Sequence, residues 1–216
     1  MTDHDDFAFE PLPGLPALPP PGEEVLWQGR PATWALAREA FGLHWVAGYF
    51  VLIAFWRGWV GAVEGGAALA LAMAIPYLLL GLAACGLVLL LAFAQARATV
   101  YTVTTNRVAL RIGAALSITL NLPFPQIGTA RLALGRNGTG TIALDTLGGA
   151  RVSYLVCWPH VRPWHLRKCQ PALRCIPDAA RVARLVADAA EQRLSLPVVR
   201  LASASAPAPS NAIAAE

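Results

Sequence analysis

Residues 67–94, AALALAMAIPYLLLGLAACGLVLLLAFA, run for about 28 positions without a charged side chain, where about 20 suffice to cross the hydrocarbon core of a bilayer. The stretch reads as a transmembrane helix. Its leucines, together with Ile75, Val88 and Phe93, give an insertion free energy on the order of −4 to −7 kcal/mol before the small penalties of Pro76, Gly81 and Gly86. A soluble helix buried on every face is the alternative, but a chain of 216 residues offers too little protein to wrap one. Composition agrees: 14% of the residues are charged, against roughly 25% in a soluble domain, and the mean hydropathy is +0.50.

Residues 41–63, FGLHWVAGYFVLIAFWRGWVGAV, are apolar except for His44 and Arg57 and read as a second span. Arg57 sits near the far end between Trp56 and Trp59, where a long cation reaches the headgroups and indole rings prefer to lie. Gly58, Gly61, Glu64, Gly65 and Gly66 supply a turn, so residues 41–96 are expected to form a two-helix transmembrane hairpin with spans at about 41–63 and 67–94. Arg30, Arg38, Arg97, Arg107 and Arg111 flank it, while the turn holds Arg57 as its base. That asymmetry points the N- and C-termini to the cytoplasm. The start, MTDHDDF, is acidic and unlike a signal peptide, so the first span is expected to do the targeting. Net charge is +4, with the bases in the second half, which favours an anionic membrane surface and gives no evidence for nucleic acid.

Residues 1–40 divide into a proline-rich strip, PLPGLPALPPPG, expected to be extended and exposed, and a short interfacial helix over residues 31–40 led by Trp34 and Leu36. After Arg97 the periodicity changes from helical to alternating, which marks a second domain over residues 97–194. Strands are expected at 99–104, at Val108, Leu110 and Ile112, over 116–122, 127–134, 141–146 and 151–157, and at 172–176. Pro177-Asp178 then opens an amphipathic helix with Val182, Leu185, Val186 and Ala189 on one face. Seven strands in a barrel or sandwich capped by a C-terminal helix is the α+β layout of a pleckstrin-homology-like (PH-like) domain. Residues 195–216 lack apolar content and are expected to be disordered.

Several of these segments resemble one family. DDFAFEPLPGLP, EEVLWQGRP ahead of the spans, YTVTTNRVALRIGAALSITLNLPF, GTGTIAL, WPHVRPW and IPDAARVA are similar to the PuhB family of photosynthetic-complex assembly proteins of purple bacteria, over about residues 5–190. The part from Ala98 to about Gln192 also resembles the broader bacterial PH-like domain, whose Y-x-[VIL]-T-x-x-R-[VIL] strand is met here by Tyr101, Val103, Thr104, Arg107 and Val108. The resemblance implies a non-enzymatic scaffold or chaperone that helps build the reaction centre and light-harvesting 1 core complex, as a homodimer in the bacterial inner, intracytoplasmic membrane. Its partners would be the core-complex polypeptides and membrane lipid. Composition and spacing alone stop at a membrane-anchored β domain.

Among candidate sites, His44 is the possible bacteriochlorophyll ligand, because neutral imidazole binds magnesium and Ala40-x-x-x-His44 resembles the antenna polypeptides' pattern. A hydrogen-bonding interfacial histidine is the plainer reading. Cys157, His160, His165, Cys169 and Cys175 are ligand types that zinc accepts, but their spacing fits no zinc template, so no metal is expected. The loop with Trp158, His160, Arg162 and Trp164 is expected to make a lipid or partner contact. Gly135, Gly138 and Gly140 read as a hairpin, and no set of carboxylates or Ser, His and Asp suggests catalysis.

Overall fold

A computed structural model of the chain describes residues 12, 14, 15, 17–113, 117–135, 138–147, 153–166 and 168–195. Expectations for residues 1–11, for Leu116, Asn137, residues 148–152, Arg167 and the tail 196–216 lie outside them. β1 (Val25–Gly29) and α1 (Thr33–Glu39) precede a long apolar helix, α2 (Leu43–Ala98). β2 (Val100–Thr104), β3 (Arg107–Ile112), β4 (Ile118–Pro123), β5 (Ile127–Leu134) and β6 (Gly140–Thr146) follow, and then α3 (Tyr154–Cys157), β7 (Ala172–Ile176) and α4 (Ala179–Ser195).

β-branched and aromatic side chains make β2 and β3 a tight antiparallel pair, with Tyr101 opposite Leu110 and Val103 opposite Val108. The strands form two antiparallel sheets, β1-β2-β3-β4 and β5-β6-β7. Tyr101, Val108 and Leu110 from the first and Ile142, Leu144 and Leu173 from the second share one core, which Val182, Val186 and Ala189 of α4 close. The C-terminal helix therefore caps the domain as its apolar face requires. The sheets do not close into a barrel, so of the two expected architectures the layered one is observed.

Two expectations about strands need correction. The seventh strand is β1, from the EEVLWQGR segment, which pairs with β2 and bulges between Val25 and Trp27. Where a strand was expected over 151–157, Tyr154–Cys157 is one helical turn. Tyr154 and Cys157 both reach the core while Leu155 and Val156 point out, a three-residue spacing that suits a helix and not a period of two. The proline-rich strip is exposed at residues 17, 18 and 20–22, as expected, but not at Gly14 and Leu15. Leu15 is buried, and Gly14, at φ +87°, lies so close to Val100 that a Cβ would fall 2.6 Å from its Cγ1. This covers Val100 on β2, while Gln28 and Glu23 meet Thr102 and Thr104, and all five residues of the strand are buried.

α2 is the described helix long and apolar enough to cross a membrane. Large side chains such as Trp45, Leu52, Phe55, Leu79, Leu82 and Leu90 are exposed along it, a surface far beyond what a water-soluble chain leaves open. No separate loop of several residues interrupts it. Helical geometry fails at Gly66 alone (φ 79°, ψ −165°), a conformation open to glycine, and the two arms then lie side by side. Arg57 Nη2 reaches Met73 Sδ of the opposite arm at 3.9 Å. Cβ atoms built on Gly58 and Gly81 would meet Ala74 and Phe50. At Gly61 the contact is with backbone: a Cβ would lie 2.8 Å from the Leu69 carbonyl oxygen. Gly61→Ala is therefore expected to destabilise the chain by about 1–3 kcal/mol, because main chain cannot move aside. Gly86→Ala, with nothing within 4 Å, should be close to neutral in the same thermal unfolding in detergent.

α1 joins this helix to the sheets. Leu36 packs with Ala96 and Cys175, and Ala37 packs with Leu43 and Ala92. Leu36 is thus an internal residue, while Trp34 carries the exposed face expected of an interfacial helix.

Candidate functional site

Two buried polar clusters tie the segments together. In the first, the Glu23 carboxylate accepts from Arg107 Nε at 2.7 Å, from Arg107 Nη2 at 3.0 Å and from the Thr104 hydroxyl at 2.7 Å. Thr104 also accepts the main-chain N–H groups of Asn106 and Arg107. The T-x-x-R turn between β2 and β3 therefore cradles the carboxylate that precedes β1, and planar guanidinium meets planar carboxylate in two hydrogen bonds.

The second cluster lies where α1, the end of α2, β7 and the Trp158-Pro159-His160 loop converge. His160 is buried. Its Nδ1 lies 2.6 Å from the Tyr101 hydroxyl and its Nε2 3.0 Å from the Thr99 hydroxyl. Burial, with the Arg174 guanidinium adding to it, lowers the imidazole pKa to about 3, so the ring is neutral, donating at one nitrogen and accepting at the other. The Tyr101 hydroxyl accepts the Arg174 N–H at 3.2 Å, and burial holds this phenol well above its ordinary pKa. Arg174 donates to the carbonyls of Pro159 (3.2 Å) and Glu39 (3.3 Å). Beside it the Cys175 thiol donates to Glu39 Oε2 at 3.5 Å; burial first, and the Glu39 carboxylate second, push this thiol up to about 12.

Burial likewise raises Cys157, and it lifts Cys169 to about 11 with help from Cys157. His160 has both nitrogens engaged by hydroxyls. Among the described residues no three His, Cys, Asp or Glu side chains gather as a ligand set. This arrangement holds α1, the end of α2, β7 and the loop together.

The four loop residues grouped in the sequence separate in space. His160 is internal, a correction to its place among surface contacts: the ring is held by Tyr101 and Thr99 and faces neither lipid nor solvent. Arg162 is half-buried, with Nη1 donating to Gln170 at 3.1 Å. Trp164 is 91% exposed, and Trp158 is 42% exposed with its ring edge-on to Phe41 at 5.1 Å. His44 is exposed on the first turn of α2 beside Trp45. Sequence reasoning missed Thr99, Glu39 and Arg174. Arg174 could have been found as a lone charge in the apolar strand ALRCI, since a cation there must have partners.

The bacterial PH domain model matches residues 43–190, taking in α2 and strands β2 to β7. The chain belongs to the bacterial PH domain family. A relative in Rhodobacter capsulatus, an uncharacterised 23.7 kDa protein in the puhA 5′ region, is 53% identical over 201 residues, covering 92% of this chain and 94% of its own. No solved structure matches. In this bacterial PH domain protein the Tyr101, Thr104 and Arg107 pattern is thus structural, feeding both buried clusters.

Proposed function

We propose that the chain is a non-enzymatic assembly factor for the photosynthetic reaction centre and light-harvesting 1 core complex, acting as a scaffold in the bacterial inner membrane. The observation that carries this is the end-to-end similarity to a protein named for the puhA 5′ region, a photosynthesis-related setting, together with the PuhB-like motifs. In this reading the two arms of α2 cross the bilayer as a hairpin. Residues 1–40 and 97–194 lie on the cytoplasmic side, where the latter meet core-complex polypeptides and lipid, and the protein works as a homodimer. Packing of exposed apolar arms against other transmembrane helices supplies the means, since close van der Waals contact drives helix association in lipid.

Deleting the gene in a phototroph is expected to lower assembled core complex severalfold while pigment synthesis continues, as read by absorption of isolated membranes. Unchanged core levels would refute this role and favour a general membrane-anchored PH-like lipid- or protein-binding module, the reading that family membership supports by itself. Bacteriochlorophyll absorption in the purified protein, lost in His44→Ala, would add pigment handling to the role.

A further inference from the structure

α3 turns its two aliphatic side chains away from the core. Leu155 is 85% and Val156 53% exposed, and Trp158 follows directly. Three large apolar groups thus stand within a few residues, with the backbone beneath them fixed: His160 N–H donates to the Cys157 carbonyl at 2.7 Å, and the His160 ring is clamped by Tyr101 and Thr99. The patch cannot fold inward without breaking those bonds.

The loop also touches both ends of α2. His160 bonds Thr99, the residue after the helix, and Trp158 meets Phe41, two residues before it. The first arm, residues 43–65, spans about 34 Å at 1.5 Å per residue, close to the roughly 30 Å of a hydrocarbon core. An arm filling that core leaves Phe41 at the headgroup boundary and Trp158 with it. The last turns of the second arm, at Ala92 and Ala96, are covered by α1, so His160 stands on the aqueous side of that boundary. From His160 the chain order runs back through Trp158, at the membrane level, to Val156 and Leu155. Exposed Arg38 and Arg97 lie at the same end of the helices, where anionic headgroups would attract them.

We infer that the α3 turn, through Leu155, Val156 and Trp158, inserts into the headgroup region of an anionic bilayer and pins the β domain to the membrane at a point separate from α2. The inference rests on the reading that α2 crosses the bilayer. A bilayer is favoured over a protein partner because the patch includes Trp158, which packs on Phe41 just before α2 and carries an indole, a ring that prefers headgroup depth.

An environment-sensitive fluorescent amino acid is placed singly at 155, at 82 within the second arm, and at 125, beside the turn of the β2–β3 hairpin at the end remote from α2. The full chain is reconstituted into phosphatidylcholine and phosphatidylglycerol vesicles. The 155 label should be quenched by lipids brominated near the headgroup and be about fivefold less sensitive to aqueous iodide than the 125 label. A 155 label as open to iodide as 125, with the 82 label quenched by acyl-chain bromine, would overturn insertion and leave the crossing of α2 standing. An 82 label beyond the reach of lipid quenchers would overturn the crossing itself. Shielding at 155 in native membranes only, and not in vesicles of the protein alone, would assign the patch to a protein partner and overturn lipid insertion.

Discussion

Arg107→Ala is expected to lower the stability of the chain by about 3 kcal/mol, the lower end of the range for removing one member of a buried ion pair. The Glu23 side chain is 3% exposed and that of Arg107 24%. Without the guanidinium, Glu23 keeps the Thr104 hydroxyl as its acid-side partner and remains charged in a place water barely reaches. The partial exposure of Arg107 lets some solvent relax around the stranded carboxylate, which is why the upper end of the range is not expected. Over a domain of this size the loss corresponds to a fall in Tm of roughly 12–24 °C, read by near-ultraviolet circular dichroism in detergent. Glu23→Gln should cost about half as much, because a neutral amide still accepts from Arg107 and Thr104 without burying a charge. Pairing Arg107→Ala with Glu23→Ala should recover part of the loss, since no lone charge is left behind. Equal Tm values for Arg107→Ala and the native chain would show that the pair contributes nothing and that β1 is held by its ladder to β2 alone.

That pair also explains which parts of the fold were legible in the sequence. β2 was readable from its β-branched and aromatic density, β3 and β4 because they alternate, and α4 because its apolar residues recur at helical spacing; the last two patterns report which side of an element is buried. β1 was not readable as a strand. VLWQG has little alternation, and its place is set by the remote contacts of Glu23 with Thr104 and Arg107, which local patterning does not encode. The turn at Tyr154–Cys157 failed for the opposite reason: a short apolar run suits strand or helix equally, and the core accepted residues three apart. Closure of a barrel was likewise beyond pattern, because it depends on how sheet edges meet and not on any single strand.

The candidate site divides along the same line. Residue types marked the loop around Trp158 as unusual, and exposure of Trp158 and Trp164 agrees with a contact surface. Nothing local said that His160 would turn inward. Its environment comes from Thr99 and Tyr101, about 60 positions earlier, and from Arg174 on β7. Tyr101 and His160 were each noted as members of separate motifs, and the structure makes them partners. Thr99 follows α2 directly, so the imidazole sits where the long apolar helix passes into the β domain and fixes one relative to the other.

Acidification should expose that dependence. Free imidazole takes its proton near pH 6.5, whereas folded His160 resists protonation until about pH 3. Between these limits the unfolded chain binds the extra proton, so lowering the pH favours unfolding. The contribution is fully present above pH 6.5 and drains away toward pH 3, at up to about 1.4 kcal/mol per pH unit. His160→Gln supplies a donor and an acceptor but cannot take up a proton. At pH 7 it is expected to be less stable by about 1–3 kcal/mol, because an amide cannot reach both Tyr101 and Thr99 as the ring does and leaves a buried hydroxyl poorly paired. Between pH 6.5 and pH 4.5 its Tm should fall less steeply than that of the native chain, and the two curves should converge. Carboxylates elsewhere titrate alike in both proteins and cancel in the difference. Parallel curves across this range would mean that the ring is reached by water and charged in the folded state, which would remove the imidazole as the neutral link between α2 and the β domain.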